Sequence, residues 1–157
     1  GKQFMPGDLL DTIVRIFDEH AIRPQTIKFE ITESILMANP LDTAAMLLEL
    51  KELGSTIALD DFGTGYSSFS YLHRFPIDTL KIDQSFVSTM RSNPKSHEIV
   101  KSLCILAKAI GMSVVAEGVE SVEEQAILTA MGVDYGQGYF YAKPLPHAEF
   151  LAYLNRH

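Results

Sequence analysis

The sequence predicts an α/β fold built on a mainly parallel sheet. Five strand-like apolar runs alternate with helical segments along the 157 residues, a pattern that is typical of parallel strands joined by crossover helices. A helix–glycine–strand phrase recurs as LGSTIALDD, IGMSVVAEG and MGVDYGQGY, which indicates repeated βα units. An apolar content of 46% is enough for the core of one domain of this length.

Helices are predicted where apolar residues recur at helical spacing between start and stop signals. Gly54 and Gly111 are the stop signals of two helices, and Ser121 with Glu124 forms a capping box at the start of another. Cys104 lies on an apolar helical pattern and is expected to pack in the core. It is the single cysteine of the sequence, so no disulfide can form within the chain, and a reducing compartment is indicated. The predicted helices are 8–20, 40–53, 86–90, 96–110, 121–131 and 147–155, with a helical turn at 67–73 and a loop at 91–96.

The predicted strands are 27–32, 56–59, 79–83, 113–120 and 134–141. Two architectures accommodate parallel strands of this kind. A five-stranded doubly wound sheet fits the length of the chain, whereas a (β/α)₈ barrel needs eight strands and about 200–250 residues. Physical reasoning alone therefore favours the open, doubly wound sheet.

Acidic and amide side chains gather near the ends of these strands. They are, with one lysine, Glu30, Glu33, Asp60, Asp61, Lys81, Asp83, Glu117, Glu120 and Gln137. The carboxyl ends of parallel strands are where active sites are assembled, so these residues are expected to form one polar site. Adjacent carboxylates repel each other and need a cation, a metal or solvent to compensate; a water-solvated acidic turn is the simpler explanation for Asp60 and Asp61 taken alone.

Charge and composition narrow the functional classes. A formal net charge of −7 argues against binding a nucleic acid polymer, which requires a basic patch. A nucleotide remains possible if metal ions bridge the two sets of negative charge. No run approaches the roughly 18 apolar residues of a membrane span, and no signal peptide is visible. We therefore expect a cytoplasmic domain, and because the chain starts with Gly1 we expect it to be a piece of a longer protein, which could itself be membrane-anchored.

Five motifs, in this order, resemble the EAL domain, the family of bacterial cyclic-di-GMP phosphodiesterases. They are FEITES, LDDFGTGYSSFSYL, LKIDQSFV, VVAEGVE and GQGYFYAKPLP. The resemblance implies a (β/α)₈ TIM-type barrel, of which about five parallel βα units are present, and it replaces the open sheet as our prediction. Residues 1–157 then form a partial EAL domain that lacks the strand with the Glu-Ala-Leu motif.

The resemblance also implies a metal-dependent reaction in which one phosphodiester of cyclic di-GMP is hydrolysed to linear pGpG. Two divalent ions, Mg²⁺ or Mn²⁺, are expected to activate water and to take oxygen ligands. By position, Glu30 and Asp60 correspond to ligands of the first ion, with Asp60 bridging to the second. Asp61 and Glu117 correspond to the remaining ligands. Without the missing strand, this chain alone is expected to be impaired.

Further roles follow from the same resemblance. Lys81 is expected to hold the attacking water or the phosphate oxygens, and Gln137 to contact the same water network. These two residues, Glu117 and Glu33 form the expected catalytic set. Glu33 resembles a glutamate that braces the loop after the acidic strand. Supporting or substrate-contacting positions are Asp83, Glu120, Gly63, Thr64 and Gly65.

Several alternatives stay open at this point. Lys81 could form a structural ion pair with Asp83 or Glu30, the aromatic residues at 139–141 could stack a guanine or belong to the core, and Thr32–Ser34 could only cap a helix. The chain could instead be a non-catalytic cyclic-di-GMP receptor or a protein-interaction module of EAL descent. A third alternative, a doubly wound phospho-acceptor domain, is set aside because the AEGVE and GQGY segments have no role in it.

Expected partners are cyclic di-GMP, a second copy bound near the DDFGTGYSS loop, and upstream sensor or GGDEF-type domains.

Overall fold

A computed structural model describes residues 6–63, 72 and 74–156 of the chain. Candidate residues Thr64 and Gly65 lie outside this described part. The helical turn predicted at 67–73 also lies outside it, apart from Leu72.

The sheet consists of five parallel strands in sequential order, β1-β2-β3-β4-β5. A doubly wound sheet reverses its strand order at a switch point, so the open-sheet alternative is wrong and the prediction of five parallel βα units is confirmed. The strands β4 and β5 are shorter than predicted, because the segments that follow them bond to each other through Val119 instead of continuing the sheet. The strands are β1 Lys28–Thr32, β2 Thr56–Phe62, β3 Thr79–Ile82, β4 Ser113–Ala116 and β5 Tyr135–Gly136.

The described helices are α1 Pro6–Glu19, α2 Glu33–Ala38, α3 Pro40–Glu52, α4 Gln84–Thr89, α5 Pro94–Ala109, α6 Val122–Ala130 and α7 His147–Leu154. A short 3₁₀ turn, Pro24–Thr26, precedes β1. The capping box predicted at Ser121 and Glu124 is present at the start of α6. Within the described residues, no helix combines the length and apolar character that crossing a membrane requires.

The core lies between the helices and one face of the sheet. Side chains alternate between the two faces of a strand, and Ile57, Leu59, Leu80 and Ile82 are fully buried in the core. Cys104 of α5 joins this cluster, as predicted. Burying these apolar groups on one face leaves the alternate residues of β1, β2 and β3 on the other, and that face carries the charged side chains.

Two aspartates bind the amino ends of strands in the same way: Asp78, just before β3, binds β2, and Asp134, just before β5, binds β4. Asp78 donates its N–H to the carbonyl of Ile57 (2.9 Å), and its Oδ2 accepts the N–H of Ile57 (2.8 Å). Asp134 bonds to Val114 through the same two contacts, at 3.1 and 2.8 Å. Each aspartate therefore occupies a backbone donor that would otherwise be unpaired at a strand start.

Candidate metal-binding site

Lys81 is the centre of the charged face of the sheet. Its Nζ lies 2.9 Å from Glu30 Oε2, 3.0 Å from Asp60 Oδ1 and 2.7 Å from Glu117 Oε1. The residue is only 5% exposed. Burial lowers the pKa of Lys81, but the hydrogen bonds to Glu117, Glu30 and Asp60 outweigh burial and leave the pKa above its ordinary value. Lys81 therefore carries a positive charge at neutral pH.

Strand geometry explains why these residues meet. Strands β1, β2, β3 and β4 are consecutive neighbours, and in their registers Thr32 lies opposite Asp60 and Lys81 opposite Val115. Glu30 and Glu117 each lie two residues from one of these positions and hence on the same face. The sequence predicted this convergence from alternation, including the pairing of Lys81 with Glu30. The other proposed partner, Asp83, is not among the ion pairs of Lys81 in the described residues.

A second grouping of carboxylates overlaps the first. One oxygen from each of Asp60, Asp61 and Glu117 lies within 4.8 Å of the others, the geometry of a possible metal site within the described residues. Carboxylate oxygens are the ligands that Mg²⁺ and Mn²⁺ prefer. With Glu30 the site holds four carboxylates and one ammonium, so it carries excess negative charge that a divalent ion would offset. The donor set therefore fits the metal that the sequence predicted.

Asp61 has a backbone conformation that the sequence did not predict. Its φ angle is 55°, in the left-handed region where aspartate is tolerated better than most residues. The residue lies inside β2, which extends to Phe62, and the pairing with β3 shifts register between Leu59 and Phe62. An irregularity of this kind redirects a side chain next to an active site, and here it lets adjacent aspartates contribute to one cluster.

Glu33 lies at the start of α2 and is 7% exposed. Its Oε2 accepts a hydrogen bond from the N–H of Gly63 at 3.4 Å. Thr32 precedes the helix but provides no side-chain cap. The structure thus places Glu33 against the turn that follows the acidic strand, where the resemblance expects its bracing glutamate.

The loops after β4 and β5 are bonded to each other. Val119 donates to the Gln137 carbonyl (3.0 Å), and its own carbonyl accepts from Phe140 (3.0 Å). Gly138 packs so closely that an added Cβ would lie 2.1 Å from the Val119 carbonyl oxygen. Direct contacts therefore hold together the two loops that carry Glu117 and Gln137.

Glu124 holds the end of the loop after β4, at Glu120 and Ser121, through hydrogen bonds. Its carboxylate is 8% exposed, and its Oε2 accepts the N–H groups of Glu120 (2.8 Å) and Ser121 (3.0 Å). The sequence predicted the capping box but not that it also holds Glu120. The serine–glutamate spacing itself could have led to this contact, because a capping box places the glutamate beside the residues that precede the helix.

A cavity of about 380 Å³ opens beside the carboxylate cluster. It brings together most of the remaining candidates: Asp61, Asp83, Glu117, Glu120, Gln137 and Tyr139 line it. Asp83 faces it while capping α4, where its Oδ1 accepts the N–H of Ser85 at 2.9 Å. Gln137 also lines an adjoining cavity of about 310 Å³ that contains Glu30 and Lys81. Gly63 does not line the 380 Å³ cavity and belongs instead to the turn held by Glu33.

The aromatic residues beside the cavity are on the surface. Tyr139, Phe140 and Tyr141 are 59%, 40% and 43% exposed. The interpretation of this segment as core is therefore wrong. The ammonium of Lys143 lies 5.5 Å from the centre of the Tyr139 ring.

Fold and site together define a class: parallel βα proteins with a candidate cation site at the carboxyl ends of the strands. A family profile described as "EAL domain" matches residues 1–144. The cyclic di-GMP phosphodiesterase PdeR of Escherichia coli is 43% identical over 156 residues, which cover 99% of this chain and 24% of that protein.

Two solved structures are similar to the chain. The EAL enzyme Bd1971, in its cAMP- and cyclic-di-GMP-bound form, aligns with a TM-score of 0.90 at 39% identity, covering 94% of this chain and 39% of that one. BlrP1 of Klebsiella pneumoniae, in a complex with manganese and cyclic di-GMP, aligns with a TM-score of 0.76 at 33% identity, covering 88% and 34%.

The chain belongs to the EAL domain family. EAL domains are metal-dependent, and the cluster of Asp60, Asp61 and Glu117 agrees with that property. The chain spans about a quarter of the length of PdeR and is a partial EAL region.

Proposed function

We propose that this chain provides most of the active site of a metal-dependent phosphodiesterase that hydrolyses cyclic di-GMP to linear pGpG. The observation that carries the proposal is the convergence of three carboxylates on Lys81, beside a cavity lined by further acids. Relatives and structural neighbours named as cyclic-di-GMP phosphodiesterases or complexes support the choice of substrate.

Glu30, Asp60, Asp61 and Glu117 are the proposed ligands of two divalent ions, Mg²⁺ or Mn²⁺. Such ions supply activated water and neutralise negative charge on the phosphate. Asp60 is the proposed shared ligand because its position in the LDDFGTGYSSFSYL motif corresponds to that ligand in the EAL family, and it belongs to the three-carboxylate cluster. The excess negative charge of this cluster is what makes a doubly charged ion favourable there.

Lys81 and Gln137 are the proposed catalytic groups of the chain besides Glu117. The Lys81 ammonium would donate hydrogen bonds to a non-bridging phosphate oxygen, where negative charge increases in the transition state. Gln137 lies between the two cavities and would position the water. Glu33 would act through the Gly63 turn, and Glu120 and Asp83 would line the substrate cavity. Gly63, Thr64 and Gly65 are proposed supporting positions in the loop after β2.

The exposed aromatic segment 139–141 is the proposed contact for a guanine base. Rings on the surface beside a substrate cavity stack bases without sequence-specific hydrogen bonds. Partners proposed for the longer protein are upstream sensor or GGDEF-type domains and a second copy that binds near the DDFGTGYSS loop. The proposed location is the cytoplasm.

The test is the conversion of cyclic di-GMP to pGpG, followed by chromatography with Mg²⁺ or Mn²⁺ present. The assay compares this chain with a longer protein that adds a Glu-Ala-Leu strand ahead of it. We expect the longer protein to turn over and the chain alone to be strongly impaired. Equal rates would contradict the expected impairment, and binding without hydrolysis by both proteins would favour a receptor.

Asp60→Asn tests the metal assignment in the active protein. The substitution keeps the shape of the side chain but removes the charge, so we expect turnover to fall at least about a hundredfold. Asp134→Asn, at the opposite end of the sheet, is the matched control and should retain the turnover number. An unchanged kcat in Asp60→Asn would rule out Asp60 as the shared ligand.

A further inference from the structure

The hydrogen-bond donors of Lys81 are fully used. An ammonium group has three N–H donors and accepts none, and three carboxylate oxygens lie within 3.0 Å of Nζ. The side chain is also nearly inaccessible to water. In this arrangement Lys81 has no donor left for a phosphate oxygen, although the proposed mechanism requires one.

The group around Lys81 and the candidate metal site share two members. Glu30, Asp60 and Glu117 hold the ammonium, whereas Asp60, Asp61 and Glu117 form the cluster able to hold an ion. Any cation that takes oxygens from Asp60 and Glu117 draws on the carboxylates that neutralise Lys81. It also places a second positive charge close to the buried ammonium, where repulsion is screened less than in water.

We propose that Lys81 and the divalent ions compete for Asp60 and Glu117, so that the ammonium acts as a resident counter-ion until metal displaces it from these carboxylates. This inference rests on the proposed metal-dependent function. Displacement has a second consequence, because a buried ammonium that loses carboxylate partners has N–H donors available for another anion. Metal binding thereby prepares Lys81 to receive the phosphodiester, and the order of binding is metal first, nucleotide second.

The opposite behaviour is expected if Lys81 only holds the acids in place. In that case its removal would let the carboxylates move apart through mutual repulsion, and the site would bind metal more weakly. Competition predicts tighter binding after the same removal. The two explanations therefore differ in the sign of the change in metal affinity.

The experiment is a calorimetric titration of Mn²⁺, without nucleotide, into the longer protein that includes the Glu-Ala-Leu strand and into its Lys81→Met and Lys28→Met variants. Lys28 is the matched control, because it lies on the same sheet and donates to Thr79 Oγ1 at 3.1 Å rather than to a carboxylate. We expect Lys81→Met to bind Mn²⁺ about tenfold more tightly or better, and Lys28→Met to match the wild type.

Weaker or equal affinity in Lys81→Met would overturn competition while leaving the metal site intact. If none of the three proteins binds Mn²⁺, the metal site itself fails and the inference fails with it. These outcomes separate the two proposals.

A measurement on the wild type covers the case in which Lys81→Met does not fold. Nitrogen-15 NMR detects lysine ammonium groups whose hydrogens exchange slowly with water. We expect the Lys81 ammonium signal to be protected without metal and to lose protection on saturation with Mg²⁺. A signal that stays protected and unshifted at saturation would overturn the proposal.

Discussion

The two ends of the sheet treat their carboxylates in opposite ways. At the amino end, Asp78 and Asp134 each accept a backbone N–H from the neighbouring strand, and Asp78 also pairs with Lys51 at 2.6 Å. At the carboxyl end, Asp60 and Glu117 point at one shared lysine and at a third carboxylate. Carboxylates at the amino end therefore bind the backbone of the neighbouring strand, whereas those at the carboxyl end converge on one cation.

This difference separates carboxylates that stabilise the fold from carboxylates that destabilise it. A carboxylate that accepts a buried N–H replaces water with a protein partner and stabilises the fold. Carboxylates that crowd around one ammonium repel each other, and they persist because the rest of the fold holds them there. Substitutions at the two ends should therefore separate stability from function.

The largest effect is expected from Asp61→Asn at the carboxyl end. Asparagine tolerates the left-handed backbone of position 61 as well as aspartate does, so the change removes charge alone. Turnover of cyclic di-GMP by the active protein should fall at least about a hundredfold. The free energy of unfolding should change by less than about 1 kcal/mol, because the residue is exposed.

Denaturant unfolding and product chromatography on the same samples check both halves of that prediction. A loss of several kcal/mol in stability with normal turnover would reverse the assignment of the two ends. Asp61→Ala serves as a further comparison, because alanine adds left-handed strain to the loss of charge.

Two glycines extend the comparison to the backbone. At Gly138, in the carboxyl-end loop, an added Cβ would lie 2.1 Å from a backbone oxygen. At Gly111, in the turn before β4, nothing lies within 4 Å and only the φ of +78° opposes a side chain. We expect Gly138→Ala to cost about 3 kcal/mol and Gly111→Ala about 1 kcal/mol.

Thermal unfolding of the two glycine variants measures the difference. Gly138→Ala should also weaken cyclic di-GMP binding, since Val119 and Gln137 are linked through this loop. Equal destabilisation by both variants would mean that the loop after β5 can shift away from Val119 at little cost in free energy.

Much of this carboxyl end was predictable from alternation and strand ends. Glu30, Asp60, Lys81 and Glu117 each follow an apolar strand pattern, and period-two spacing places them on one face. The strand order was harder, because periodicity identifies strands but not their neighbours. Physical reasoning favoured a doubly wound sheet, and the resemblance of whole motifs to the EAL family was what replaced it.

The features that the sequence did not predict depend on contacts between distant segments. The left-handed Asp61 and the register shift beside it arise from the pairing of β2 with β3. The early ends of β4 and β5 arise because Val119 bonds to the loop after β5 instead of to the sheet. Asp83 was a candidate partner of Lys81, but its carboxylate accepts a hydrogen bond from the nearby backbone N–H of Ser85 instead. Short polar side chains often bond to the local backbone in this way.

A smaller effect is expected from Asp134→Ala at the amino end. The substitution leaves the N–H of Val114, which is fully buried, without its acceptor. An unsatisfied buried donor costs about 1–3 kcal/mol, whereas Asp134→Asn retains an acceptor and should cost less. Denaturant unfolding gives both values, and equal costs would show that charge rather than hydrogen bonding matters at this end.

The smallest expected effect is a pH dependence of the free energy of unfolding, and it comes from Cys104 in the hydrophobic core. Burial raises the pKa of the Cys104 thiol, which is 1% exposed. Above about pH 8.5 the thiol ionises in the unfolded chain but not in the folded one. Stability therefore falls as pH rises, by less than about 1 kcal/mol at pH 9. Lys81 stays charged over this range, and Cys104→Ala should remove the contribution of Cys104 in unfolding experiments at pH 7 and pH 9. An undiminished decline in Cys104→Ala would show that Cys104 is not its origin.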